Sequence, residues 1–315
     1  MKPQIKTLIS ISTIIIIALL LINYIKSNIS DFKQLSIANP IYLIPLIIIF
    51  LISLFANGFL LKTLMKPFKI KLKNLEAFGL SVVTNFYNLI TPFRGGAGVR
   101  AMYLKKKHEF PYVHFLATLS AIYVIIFLVG SLGGLLSMIY IWLNYQMFNW
   151  LIFSVFLIFF TTLLSIIIFS PKLSESKNKW TNRFVKVING WHLIKNNKKI
   201  IFTTSIIAFI QLMLGSLNFL IAYSIFGIEI NFFKALFIAS IGSLAMLLAI
   251  TPGNLGIGDA INVFSANVMG IGLTEAIGAT LLLRAVNLLV IFILGPIFSY
   301  ILLKHKPNKQ NETKN

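Results

Sequence analysis

Long apolar runs, separated by short lysine-rich links, set the pattern of this chain. Runs at about 8–25, 41–61, 112–142, 150–169, 200–226 and 275–303 approach or exceed the roughly 20 apolar residues that cross a bilayer. In hydrocarbon the backbone has no water to bond, so each run predicts a transmembrane helix. Two further runs, 75–90 and 235–250, are shorter and stop at Thr91-Pro92 and Thr251-Pro252.

The two stops are copies of one another. Thr91-Pro92-Phe93-Arg94-Gly95-Gly96-Ala97-Gly98-Val99-Arg100 aligns without a gap with Thr251-Pro252-Gly253-Asn254-Leu255-Gly256-Ile257-Gly258-Asp259-Ala260, at an offset of 160 residues. Thr, Pro and a Gly-x-Gly pair coincide. Proline blocks further helix and glycine frees the backbone. The helix-break set is Thr91, Pro92, Gly95, Gly96 and Gly98 in one copy, and Thr251, Pro252, Gly253, Asn254, Gly256 and Gly258 in the other. Each copy predicts a re-entrant hairpin, the first returning through 95–108. The chain reads as an all-α polytopic membrane protein: about six full transmembrane helices plus two re-entrant hairpins in an inverted repeat. The halves cover about 41–142 and 200–303, within one integral membrane domain, 1–303.

Charge sets the expected orientation. Lys62, Lys66, Lys69, Lys71 and Lys73 fill one link, and 171–199 holds eight basic residues against Glu175, while 143–149 carries no charge. Lys and Arg collect on the cytoplasmic side. A hairpin at 75–108 keeps both termini and every lysine-rich loop on that face of the cell membrane; a full crossing would invert all later loops. The first hairpin therefore opens inward and the second outward. Run 8–25 is expected to be retained, because no small-residue cleavage pattern follows it. The tail, 304–315, is Lys-rich and expected to be disordered. Within 171–199, Trp180, Phe184, Val187, Ile188, Trp191 and Ile194 recur at helical spacing. They predict a basic amphipathic helix on the inner leaflet; the alternative is a helix packed on the protein's own loops.

Composition agrees. The chain is 57% hydrophobic and only 11% charged, against roughly 25% in soluble domains. Its net charge of +20 lies between apolar runs, where it attracts anionic lipid headgroups, not nucleic acid. There is no cysteine, which excludes disulfides and thiol catalysis. His108, His114, His192 and His305 lack metal-ligand spacing, and no nucleotide loop, nucleophile elbow or carboxylate pair is visible. No catalytic residue, metal or cofactor is expected.

The candidate chemistry is charge at membrane depth, where one ionised group costs roughly 3 kcal/mol and so seeks a partner or a wet cavity. Arg94, Arg100, Asp259 and Arg284 are the candidate substrate-binding residues. Structurally, Asp259 and Arg284 predict an ion pair tying the second hairpin to the last helix. Functionally, a guanidinium binds phosphate bidentately, and the N–H groups of Gly95, Gly96 and Gly98 would approach the same anion.

Pro92 to Leu104 resembles the first signature of the lysylphosphatidylglycerol synthase transmembrane-region family, approximately P-x-R-x-G-E-x-x-R-x-x-x-L. Thr251 to Ala260 resembles its second, approximately P-G-G-x-G-x-x-E-A, and Leu283-Arg284 resembles an Arg near the start of its last helix. Ala97 or Gly98 stands where the first signature has Glu, and Asp259 replaces the second Glu. The resemblance covers essentially the whole chain and implies a flippase-like domain. In one such relative, the bacterial multiple peptide resistance factor, a domain of this kind moves aminoacylated lipid between leaflets while a separate soluble domain makes it; other relatives are linked to polyprenyl-carrier glycosylation pathways. No soluble domain follows Leu303, so a complete synthase is not expected. The expected function is a lipid flippase or lipid-linked transporter, not an enzyme, moving an anionic, aminoacylated or polyprenyl-linked lipid. The alternative is a non-catalytic membrane partner of a lipid-modifying or glycosyl-transfer enzyme, docked through 177–195.

Overall fold

The structure is a computed structural model that describes residues 36–174 and 179–303, with scattered positions between 19 and 30. Almost all of the expected first span, 8–25, and the tail 304–315 lie outside the described residues. The helices are α1 (Leu43–Met65), α2 (Asn74–Ile90), α3 (Gly96–His108), α4 (Tyr112–Tyr145), α5 (Trp150–Phe169), α6 (Lys179–Lys195), α7 (Lys198–Ile225), α8 (Phe232–Leu244), α9 (Ile257–Val268) and α10 (Leu273–Leu303). No strand occurs among the described residues. Five apolar helices, built on α1, α4, α5, α7 and α10, are long enough to cross a membrane. The chain is thus an all-α polytopic membrane protein, with five such helices described where about six were expected.

Local chemistry fixes the ends. Asn149, Asn197 and Asn231 cap α5, α7 and α8, accepting hydrogen bonds from Ile152 N (3.1 Å), Ile200 N (3.2 Å) and Phe233 N (2.8 Å). Pro40 starts the turn leading into α1, where its missing N–H costs nothing. The Gly130–Gly134 stretch does not break α4. Its glycines serve packing: a Cβ on Gly134 would stand 2.3 Å from the Phe156 ring.

Packing is reciprocal between the halves. α1 pairs with α7; α2 of the first half packs on α10 of the second; α8 of the second packs on α4 of the first. One core gathers Leu60, Leu64, Leu104, Phe110 and Ile125, the other Phe156, Phe219, Tyr223 and Phe237. Trp150, Leu151, Ile158 and Phe169 of α5 point outward, as residues facing acyl chains do.

Part of the amphipathic segment's apolar face meets the protein. Val185, Trp191 and Ile194 of α6 are buried against the protein. Trp191 Nε1 donates to Ser170 Oγ (3.0 Å), and Lys195 Nζ donates to the carbonyls of Ile168 and Ser170, each at 3.1 Å. Gly190 lets the helix approach Ala117 of α4. Of the predicted stripe, Trp191 and Ile194 are buried and Val187 and Ile188 half-buried; the side chains of Trp180 and Phe184 lie outside the described residues.

Candidate functional site

Both apolar arms break in the same way. α2 ends at Thr91, which is extended (φ −125°, ψ 142°), and a single 3₁₀ turn, Pro92–Arg94, follows. α8 runs on through a 3₁₀ turn to the extended Thr251 (φ −82°, ψ 156°), and then Pro252–Asn254 forms the matching turn. In each turn the second and third residues are left-handed: Phe93 (φ 54°) and Arg94 (φ 55°), Gly253 (φ 60°) and Asn254 (φ 54°). These positions correspond at the offset of 160 read from the sequence, so the repeat is written in the backbone as well as in residue type.

The two tips touch. Phe93 N donates to Ile250 O at 3.2 Å. Behind the first tip, α3 folds back so closely on α2 that a Cβ on Gly96 would stand 1.9 Å from Thr84 O. Only glycine fits there, and its N–H donates to Asn88 Oδ1 (3.0 Å). Gly98 N donates to Gly95 O (2.9 Å). The expected cradle of glycine N–H groups is therefore not open at Gly96 or Gly98: the chain's own acceptors use them.

The four charged candidates separate into two groups. Asp259 and Arg284 form a closed unit. Arg284 Nε and Nη2 donate to Asp259 Oδ1 (3.1 and 2.6 Å), and Nη1 donates to Gly253 O (2.8 Å). Asp259 Oδ2 accepts from Gly256 N (2.9 Å). This unit ties the second tip and α9 to α10. Among the described residues no acid pairs with Arg94 or Arg100. Arg94 Nη1 donates to Tyr123 Oη of α4 (2.9 Å), and its guanidinium carbon stands 5.5 Å from that ring centroid. Arg100 is only 5% exposed and stands 5.5 Å from the Phe115 ring; its Nε is buried without a partner. Among the described residues no hydrogen bond or ion pair reaches the Arg100 guanidinium. Each stacks on an aromatic face, which attracts cations.

Between the tips lies a cavity of about 100 Å³, walled by Asn85, Asn88, Leu89, Arg94, Met246, Ala249, Thr251, Gly253, Asn254 and Asn287. The sequence reading picked out Arg94, Thr251, Gly253 and Asn254 from this wall and missed Asn85, Asn88 and Asn287, as well as Tyr123. A signal was present: carboxamides are rare inside apolar arms, Asn85 and Asn88 stand three apart on α2, and Asn287 stands three beyond Arg284 on α10. Arg100, Asp259 and Arg284 do not line the cavity.

Outside the long spans, the base of the first hairpin is clamped by Glu76 in the first turn of α2. Buried Glu76 accepts from Tyr103 Oη (2.7 Å), lies 2.8 Å from His108 Nε2 and forms an ion pair with Lys107 Nζ (3.1 Å). Burial raises its pKa, but the bonds from His108, Tyr103 and Lys107 outweigh this and hold it at about 2.

Two broken helices meeting at a polar cavity inside an apolar bundle are the architecture of membrane proteins that handle charged groups at depth. The chain matches the lysylphosphatidylglycerol synthase TM region family over residues 5–295 and belongs to that family, which ties it to lipid handling in a membrane. Searches of curated proteins and of solved structures give no match.

Proposed function

We propose that the protein is a flippase or scramblase of the cell membrane that passes an anionic lipid headgroup between leaflets at the contact of the two helix tips. The observation that carries this reading is the placement of Arg94, paired with no acid among the described residues, in the wall of a polar cavity between two broken helices. A cation at that depth is costly unless it meets a partner or water, and a lipid phosphate is the partner that a membrane supplies.

The phosphate approaches from the lysine-rich mouth of the first hairpin, where the headgroup field is basic. Arg100, beside Phe115, is the outer cation, and Arg94, beside Tyr123, is the inner one. Their two aromatic partners are eight residues apart on α4, a rise of about 12 Å. The cavity between the tips is smaller than a lipid headgroup and its water, so passage requires the tips to part and the Phe93–Ile250 bond to open. The Asp259–Arg284 unit holds the second tip to α10 while this happens. Acyl chains stay in the surrounding lipid throughout.

The test is reconstitution of the full chain into proteoliposomes carrying acyl-chain-labelled anionic phospholipid, with leaflet exchange read by dithionite quenching. Wild type speeds exchange, and Arg94→Gln loses most of that speed at equal reconstitution. Exchange in Arg94→Gln at the wild-type rate would remove Arg94 from the path.

A further inference from the structure

The wall of the tip cavity is specific about charge. It holds one guanidinium, from Arg94, the Thr251 hydroxyl and the carboxamides of Asn85, Asn88, Asn254 and Asn287. Among the described residues no carboxylate lines it. Asp259, linked through Arg284 to Gly253 of the wall, has both oxygens engaged, Oδ1 by Arg284 and Oδ2 by Gly256 N. The carboxamides retain free capacity. Asn254 Oδ1 is buried with no partner, and among the described residues Asn287 makes no hydrogen bond at all. A carboxamide both donates and accepts, as a hydroxyl does, and it offers an ammonium only a neutral dipole.

An aminoacylated headgroup brings at least one ammonium with its phosphate. In this cavity that ammonium would meet the positive Arg94 and no counter-charge, and a buried unpaired charge is strongly disfavoured. A headgroup with one phosphodiester and free hydroxyls meets the opposite: Arg94 for the phosphate and four carboxamides for the hydroxyls. We infer that the site selects monoanionic phosphodiester lipids with hydroxyl-bearing headgroups, of which phosphatidylglycerol is the simplest, and discriminates against the lysyl-modified form. The inference rests on the reading that a headgroup enters this cavity, and it assigns Asn85, Asn88, Asn254 and Asn287 as the residues that choose it.

Binding and movement are measured separately so that the two claims fail separately. The purified full chain in detergent is titrated with phosphatidylglycerol, lysyl-phosphatidylglycerol and soluble glycerophosphoglycerol, with bound lipid counted by native mass spectrometry. Phosphatidylglycerol is expected to bind at least about tenfold more tightly than the lysyl form, in line with the penalty for one poorly matched polar group. Soluble glycerophosphoglycerol is expected to compete weakly; if it binds as tightly as the lipid, the ligand is a soluble phosphodiester and the lipid assignment is overturned. Asn287→Asp places a carboxylate in the cavity without removing a hydrogen bond the protein makes, and should narrow or reverse the preference; Asn88→Asp, which keeps an acceptor for Gly96 N, is the second variant should the first not fold. Equal or tighter binding of the lysyl lipid by wild type, or an unchanged preference in both variants, overturns the selectivity. Proteoliposomes of the same lipids then test movement: selective binding without movement leaves the selectivity standing and removes the transport reading.

Discussion

The Asp259–Arg284 unit yields a prediction whose size follows from its geometry. Two guanidinium nitrogens reach one carboxylate oxygen at 3.1 and 2.6 Å, and the side chains are 15% (Arg284) and 21% (Asp259) exposed. Charge centres about 4 Å apart attract by about 4 kcal/mol at an effective dielectric of about 20. Removing one member of a buried pair costs about 3–5 kcal/mol, because the other charge is left unpaired. With this partial exposure, Arg284→Gln and Asp259→Asn should each lower stability by about 3 kcal/mol. The double variant leaves no charge behind and should cost about 3–4 kcal/mol, not the sum of about 6, giving a coupling of about 2–3 kcal/mol. The assay is equilibrium unfolding in micelles, followed by tryptophan fluorescence, across the four proteins. Transport per folded molecule separates structure from binding. If Arg284 only holds the tip, the double variant regains much of the exchange that Arg284→Gln loses; if Arg284 grips the phosphate, both stay inactive. Additive single costs, with coupling below about 0.5 kcal/mol, would refute the pair as a unit.

Three further outcomes follow from named contacts. Gly96→Ala, whose Cβ would stand 1.9 Å from Thr84 O, should cost about 3 kcal/mol and exchange activity, whereas Gly98→Ala, with nothing within 4 Å, should be neutral or stabilising by up to about 1 kcal/mol; thermal melts of the two compare directly. Arg100→Met, which replaces an unpaired buried cation with an apolar chain, should raise stability by about 1–3 kcal/mol while slowing exchange, and a melt with a transport assay on one preparation checks both. Glu76 has a folded pKa of about 2 against 4.5 unfolded, so its contribution of about 3 kcal/mol is present above pH 4.5 and lost as pH falls through 2. Glu76→Gln should therefore be the less stable protein at neutral pH, with the gap closing in acid; a constant gap would contradict this.

The arms, the breaks and the offset of the repeat were legible because each has a one-dimensional signature: an apolar run, Thr-Pro and Gly-x-Gly. The Asp259–Arg284 pair was legible because a lone acid and a lone base at depth have few other partners. What escaped depended on which helix faces meet. Nothing in the run 112–142 marks Tyr123 as the partner of Arg94, 29 positions away. Asn287 lines a cavity only because α10 packs on α2, across the two halves. The amphipathic stripe of α6 was legible as a helix, but its period does not say what covers each position, and protein covers Trp191 and Ile194. The glycine N–H groups at Gly96 and Gly98 looked available because their acceptors, Asn88 and Gly95, engage them only once the hairpin is folded.

The central claim is that headgroups pass where the two tips meet, and the tips themselves offer the most direct test. The chain has no native cysteine, so Phe93→Cys with Ile250→Cys adds a single thiol pair at the point where the backbones are bonded. Exchange is measured in proteoliposomes before crosslinking, after joining the pair with a short cleavable thiol crosslinker, and after cleaving it. The joined protein is expected to stop exchanging lipid and to recover on cleavage, while each single-cysteine protein ignores the reagent. Undiminished exchange with the tips joined would contradict it and move the path to another face of the bundle.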